Sequence, residues 1–404
     1  MRSAGSKMIL ADHKLLRQIN RANILKIILD NGLIPRTELS KLSGLNQSTI
    51  SRIVKDLIKE QLVYEENQTE IYNKVGRKPV NLKLNPRAQI FGIIDVTLSK
   101  TTLSICDLYG NVLERQEVIS LVGEAEKFFS SCANTIRSMA SLHSEHLYGV
   151  GVSVPGVVRY SEGYLYLVRK LKWKNVDIRG IVSREVGCKV FVENDARAGA
   201  LAELWFSEKT RNLNNFVFVL VCNGVGTGIV MNRTLYRGTH SMSGQFHADM
   251  IKIDDKWEDL SGEYTWENNS SDLGIVVRYS DYTGENRGGD VEEETQRIIN
   301  LARQGDYSAI RALQETARFL GVGIARINNS LDPERIIIGG KIVQVWDIIF
   351  PELIKQVEKQ TPYQVVPVRD LIIPSSFIWA PFDGIRAMLL HNLFGVSIII
   401  HYES

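Results

Sequence analysis

A chain of 404 residues, 44% apolar and 23% charged, is too long for one ordinary domain and too apolar to stay disordered, so two or three packed units are expected. Its longest apolar run is about seven residues, near 216–222, far short of the roughly 20 needed to cross a bilayer, which argues against a membrane span. The net charge of +2 hides an asymmetry: residues 1–87 hold 16 Lys and Arg against 8 Asp and Glu, a net of +8, leaving −6 for the rest, so only the front end suits a polyanionic partner.

The N-terminal stretch MRSAGSKMILADHKLL lacks the apolar core and small-residue cleavage site of a secretory leader. Cys106, Cys132, Cys188 and Cys222 are scattered, with no C-x-x-C pair to suggest a zinc site or a disulfide frame. A cytoplasmic protein is expected.

The first predicted helix covers 15–30, turns Ile24, Leu25, Ile27 and Ile28 inward, and stops at Asn31-Gly32. A short helix over 37–43 follows Pro35, and after a turn at 44–46 Asn46 caps a third. That third helix carries Ile50, Ile53, Val54, Leu57 and Ile58 at helical spacing, a buried stripe. Its other face reads Gln47, Ser48, Thr49, Ser51, Arg52 and Lys55. Short polar groups near a helix start allow close approach to base edges, and the cations beyond them reach bases or phosphates, as a recognition helix requires. A helical hairpin with a merely polar face is the plainer alternative.

Residues 62–86 alternate apolar and polar positions and read as a hairpin wing. Within it Arg77 and Lys78 follow Gly76 in an extended segment suited to a phosphate backbone or a minor groove, or to a plain basic linker. Asn85-Pro86 closes the unit. Residues 1–87 are thus expected to form a winged helix-turn-helix that binds double-stranded operator DNA.

After residue 88, strands alternate with helices in a mixed α/β pattern, the arrangement that places ligands at strand ends. Strands are expected over 91–96 and 101–108, flanking the loop Thr97-Leu98-Ser99-Lys100. LYGVGVSVPGVV is a strand and a Pro155-Gly156 turn, and CKVFVENDARAGALAELW is a strand, a polar tip and a helix. NFVFVLVCNGVGTGIVMN is a strand, a glycine-rich turn and a strand, and PERIIIGGKIVQVWDII is a strand, the Gly339-Gly340 turn and a helix.

These pieces, VENDARAGALAE above all, resemble the ROK family of repressors, open reading frames and kinases over nearly the whole chain. The resemblance implies a two-lobed actin-like, ribonuclease-H-like ATPase fold. With a winged helix in front, the chain looks like the family's sugar-responsive repressors of the xylose and N-acetylglucosamine types. The lobes are expected at 88–200, completed by a C-terminal helix near 380–396, and at 201–379.

By the same resemblance, Glu193-Asn194-Asp195 forms the sugar-binding and catalytic turn, with Asp195 at the position of the kinases' general base. Residues 223–228 and Gly339-Gly340 match the family's phosphate and adenosine turns. The first kinase hairpin, however, begins Asp-x-Gly-Gly-Thr, whereas Asp95 here is followed by Val96, Thr97, Leu98 and Ser99; side chains at the glycine positions oppose an anion nest. The family's Gly-Glu-x-Gly-His becomes 244–248 here, with Gln245 at the glutamate, Ala248 at the histidine and His247 one residue early, so that only a one-residue bulge brings His247 into place. WEDLSGEYTWENNSSD has no cysteine where the family has a zinc loop, and Glu267 falls at the sugar-binding glutamate.

The expectation is a non-enzymatic sensor, with no metal and no cofactor, that binds a sugar effector through Asn194, Asp195, Gln245, His247 and Glu267 and acts as a homodimer or higher homo-oligomer. An active ATP-dependent sugar kinase, or a DNA-binding scaffold that no longer takes sugar, are the alternatives.

Overall fold

The structure is a computed structural model that describes residues 13–67, 80–246, 265–285, 289–361 and 367–395. The front end consists of α1 (His13–Asn31), β1 (Ile34–Pro35), α2 (Arg36–Ser43), α3 (Gln47–Lys59), β2 (Val63–Asn67) and β3 (Val80–Leu84). The helices form where the spacing predicts, α1 beginning two residues early and α2 one residue early. Asn46 accepts a hydrogen bond from the Thr49 amide and fixes the start of α3. Ile50, Ile53, Val54 and Leu57 are buried against Ile24, Leu25 and Ile28 in one core, with Ile58 half-buried beside them. Strands β2 and β3 pair antiparallel, Val63 opposite Leu84, and β1 joins the far edge of β3. Arg77 and Lys78 lie outside the described residues.

The body begins with β4 (Ile90–Val96), β5 (Lys100–Cys106), β6 (Val112–Ile119), α4 (Ala125–Ala140) and β7 (Leu147–Val154). A small sheet of β8 (Val157–Arg159), β9 (Tyr164–Val168) and β10 (Trp173–Val176) leads to α5 (Ile178–Val186), β11 (Lys189–Asn194) and α6 (Asp195–Phe206). Next come β12 (Phe216–Val221), β13 (Val225–Met231), β14 (Thr234–Tyr236), α7 (Trp266–Ser270), α8 (Asp272–Thr283), α9 (Val291–Arg303) and α10 (Tyr307–Leu331). The chain continues through β15 (Arg335–Gly339), α11 (Trp346–Gln360), α12 (Val368–Leu371), β16 (Ile372–Pro374) and α13 (Ala380–Phe394).

Two five-stranded sheets repeat one plan. In the first, β6, β5 and β4 form an antiparallel meander, and β7 and β11 extend it in parallel. In the second, β14, β13 and β12 form the meander, and β15 and β16 extend it in parallel. The wholly buried strand β12 is apolar throughout because both its faces are covered.

Helices α6 and α13 pack on each other between the sheets, α13 facing β4 and β7 while α6 faces β12 and β13. Small residues allow this close approach. A Cβ on Gly384 of α13 would stand 1.7 Å from the Ala198 carbonyl oxygen of α6, and one on Gly199 would stand 2.2 Å from the Phe218 ring. The expected lobe boundary at residue 200 falls inside α6, which packs as one piece over its 12 residues; the two sheets, with the helix pair between them, divide the body instead. No helix among the described residues is long and apolar enough to cross a membrane.

Candidate functional site

Strand β11 delivers Asn194 and Asp195 to the gap between the sheets, where Asn194 caps α6 and Asp195 opens it. The Asn194 side chain accepts from the Arg197 amide at 3.1 Å and donates to the Gly156 carbonyl at 3.1 Å and to Asp195 Oδ1 at 2.8 Å. Both its amide hydrogens are thereby engaged, so it orients Asp195 rather than presenting a free donor. Asp195 Oδ1 also accepts from the Ala196 amide at 2.8 Å, which leaves Oδ2 as the oxygen without a protein donor among the described residues. Burial pushes the Asp195 carboxyl above its ordinary range, the nearby charge of Glu267 adds to the rise, and the Ala196 amide, Arg197 and Asn194 offset part of it.

The glycine turn between β12 and β13 lies against this carboxylate. A Cβ on Gly226 would meet the Ala196 methyl at 2.7 Å and Asp195 Oδ1 at 3.9 Å, and one on Gly224 would stand 2.2 Å from Glu267 Oε1. Glu267, in the first turn of α7, therefore reaches the same turn as Asp195. Thr227 donates to the Gly244 carbonyl at 2.6 Å, which brings half-buried Gln245 beside β13. Asp195 and Glu267 thus meet at the turn carrying Gly224 and Gly226, and Gln245 follows the residue bonded to Thr227, whereas His247 lies outside the described residues, as does most of the cysteine-free segment before Thr265.

Beneath this group is an ion network that sequence reasoning did not single out. Glu193, fully buried, accepts from Arg237 Nε at 2.8 Å and pairs with Arg197 Nε at 3.5 Å. Arg197 donates at 3.2 Å to the carbonyls of Val158 and Ser241, and the Arg237 guanidinium lies 4.2 Å from the centre of the Tyr160 ring. The pair of arginines anchors the 237–245 loop that ends on Gln245. The one legible signal was an arginine inside an alanine-rich helix, where a buried charge requires a buried partner.

The loop after Asp95 closes on itself through the amides of Thr97 and Lys100. The Thr97 amide donates to the Lys100 carbonyl at 2.8 Å, the Lys100 amide to Thr97 Oγ1 at 3.2 Å, and the Ser120 amide to the Ser99 carbonyl at 3.0 Å. Asp95 itself accepts from the Trp379 indole and faces Ser153; burial raises its pKa to about 6, with the charges of Asp195 and Glu292 adding to the rise. The acidic first turn of α9 closes over the same loop. Lys100 pairs with Glu293 at 2.6 Å, and Asn223 donates to Glu292 at 3.1 Å. These carboxylates line the ground that a polyphosphate would need.

On the front end, Gln47, Ser48, Ser51, Arg52 and Lys55 are exposed along one face of α3 and Thr49 is half-buried. Asp56 of that helix and Glu60, the residue that ends it, pair with Arg17 and Arg21 of α1, and among the described residues Arg52 and Lys55 enter no salt bridge. The face expected to meet DNA is therefore open.

Residues 91–377 match the ROK family, and residues 17–64 match winged helix-turn-helix DNA-binding domains. The chain is 30% identical to the xylose repressor of Caldicellulosiruptor bescii over 366 residues, 88% of this chain and 90% of that protein. It is 27% identical to the xylose repressor of Bacillus spizizenii over 392 residues, 96% of this chain and 99% of that one. Among solved structures, a ROK family transcriptional regulator described as a homolog of the E. coli MLC protein superposes with a TM-score of 0.74 at 25% identity, covering 94% of this chain and 98% of its own.

Proposed function

This chain belongs to the ROK family, and we propose that it is a sugar-responsive repressor that holds operator DNA with its winged helix and lets go when an aldose binds between the sheets of its body. The observation that carries this reading is the convergence of Asp195 and Glu267 on the Gly224–Gly226 turn. Two carboxylates with unspent acceptor capacity suit a polyhydroxylated, uncharged ligand, since each can take a pair of hydroxyl donors. D-xylose is the first sugar to test because it gives the named relatives their names.

Sensing without phosphoryl transfer is the better fit to the cleft. Asp195 would serve a kinase as general base, but the 97–100 loop spends amides within its own turn and α9 brings carboxylates to its side. Phosphoryl transfer depends on positioned cations and amide donors around the nucleotide. The exposed face of α3 would enter a major groove, and two copies of the chain on a two-fold operator would set half-sites about one helical turn apart, so a small rotation on sugar binding would change operator affinity sharply.

Calorimetric titration of the full-length chain with D-xylose, D-glucose, N-acetylglucosamine and Mg-ATP tests this, together with release of a duplex selected by the protein from a random library. One sugar is expected to bind and release the duplex, while ATP gives neither heat nor sugar phosphate. Asp195→Asn is expected to weaken that sugar by about 10-fold or more, the usual worth of a hydrogen bond to a charged group, with DNA affinity retained. ATP-dependent formation of a sugar phosphate would establish a kinase instead, and silence from every sugar a scaffold.

A further inference from the structure

Two cations of the winged helix stand on the ends of the helix pair that separates the sheets. Lys26 Nζ of α1 donates to the Trp205 carbonyl at 2.9 Å and lies 5.5 Å from the centre of the Trp205 ring. Arg21 Nη1 of the same helix donates to the Phe394 carbonyl at 3.1 Å. Trp205 is the penultimate residue of α6 and Phe394 the last of α13, so these are carbonyls left without helical partners, at the negative ends of two helix dipoles. The Trp205 ring meets His391 edge-on at 5.7 Å and Phe394 at 6.4 Å, tying the two ends together.

At the opposite end of α6 is Asp195. Twelve residues at a rise of ~1.5 Å separate the ends of the helix by about 18 Å. The helix is not free to slip on its neighbour, because Gly384 already brings the α13 backbone against the Ala198 carbonyl and Gly228 does the same for β13 against Ala200 and the Ala196 carbonyl. A displacement of Asp195 therefore moves α6 and α13 as one body.

We propose that the α6–α13 pair carries the occupancy of the sugar site to the winged helix, through a joint in which Lys26 and Arg21 cap the C-terminal carbonyls of α6 and α13. This rests on the reading of Asp195 as a sugar contact. Sugar drawn onto Asp195 shifts the pair, the capping carbonyls move beneath α1, and the domain bearing α3 is re-aimed. A second tether runs through the same helix: Arg386 of α13 donates to the Tyr109 carbonyl at 2.6 Å, in the turn next to Leu108, whose amide donates to the Pro86 carbonyl at 3.0 Å just past the wing. Both of these contacts of the front end run to the helix pair.

The coupling is read as the factor by which D-xylose lowers the affinity of the full-length chain for the selected duplex, a quantity equal by linkage to the effect of the duplex on xylose affinity. Lys26→Met and Arg21→Met keep most of each stem and remove the cap. Each is expected to bind xylose without DNA within about threefold of wild type, and the double variant is expected to bring the coupling factor from the usual range of about 5–150 close to one. Thermal melts verify that the variants fold, and Trp205→Phe, which keeps its carbonyl, is expected to retain the greater part of the coupling. Undiminished coupling in the double variant, with the xylose needed for release raised about 10-fold or more in Asp195→Asn, overturns the joint and leaves the pocket standing. Release by Asp195→Asn at the same xylose concentration as wild type overturns the pocket and with it α6 as the carrier, and a wild-type chain that takes none of the sugars overturns both.

Discussion

Asp272 opens α8 with its side chain buried, and its Oδ1 finds no hydrogen-bond partner among the described residues. Burial lifts its pKa to about 7, Glu292 adds to the rise, and Lys341 opposes it. Asp95 behaves alike, lifted to about 6. Below the ordinary carboxyl value near 3.8 both groups are neutral in the folded and unfolded chains, and neither penalises folding. Above it the unfolded chain ionises first, and the folded groups follow only near pH 6 and 7. The favourable contribution of the neutral acids is therefore full in acid and lost as the pH rises through that interval. Asp272→Asn, neutral throughout, is expected to lose less melting temperature than wild type between pH 5 and pH 8; parallel curves for the two proteins would remove Asp272 from the account.

Helix α3 separates its two duties by face, and substitutions should separate them too. Arg52 is exposed and, among the described residues, unpaired, so Arg52→Ala should leave the melting temperature unchanged while costing about 1–3 kcal/mol of duplex binding if it reads a base. A uniform loss across sequences with a shallower salt dependence would assign it to a phosphate, and an unchanged affinity would take it off the reading face altogether. Leu57, wholly buried in the same helix, should do the reverse, Leu57→Ala costing about 2–5 kcal/mol of stability. Both faces were legible in the sequence because a 3.6-residue period distinguishes inside from outside without knowledge of the partner. The partner itself is a different matter. Nothing local in "DARAGALAELW" announces that α6 packs on a helix more than 180 residues away in the chain, and so the expected boundary at 200 cut it in two. Asn194 was legible as a residue of the site but not as one whose amide is spent on Gly156 and Asp195, since that depends on where the strand end lies relative to a turn some 38 residues earlier. Glu267 was placed by resemblance, and its approach to Gly224 depends on a glycine whose missing side chain makes the room.

At the scale of the whole molecule, the two sheets are tied across the side of the cleft that carries the 97–100 loop and the start of α9 by polar contacts at or near the surface. Lys100 meets Glu293, and Lys170, between β9 and β10, donates to the Asn223 carbonyl at 3.0 Å in the turn that also carries Gly224. Exposed pairs such as Lys100 with Glu293 hold weakly and are screened by salt, with a Debye length of about 10 Å at 0.1 M and 3 Å at 1 M. A cleft that closes on a ligand between Asp195 and Glu267 would draw on these ties. Xylose is uncharged, so any dependence of its affinity on ionic strength, measured without DNA, reports charges of the chain that come together as it binds. Xylose affinity is accordingly expected to fall a few-fold between ~0.05 M and ~0.5 M NaCl in wild type, and to lose most of that dependence in Lys100→Met, which keeps the stem and removes the charge. Calorimetry at matched pH decides it. A flat salt profile in wild type would mean that the ties do not change when sugar binds, and an undiminished slope in Lys100→Met would move the closing charges elsewhere in the cleft, to Lys170 and Lys341 beside Asn223 and Glu292.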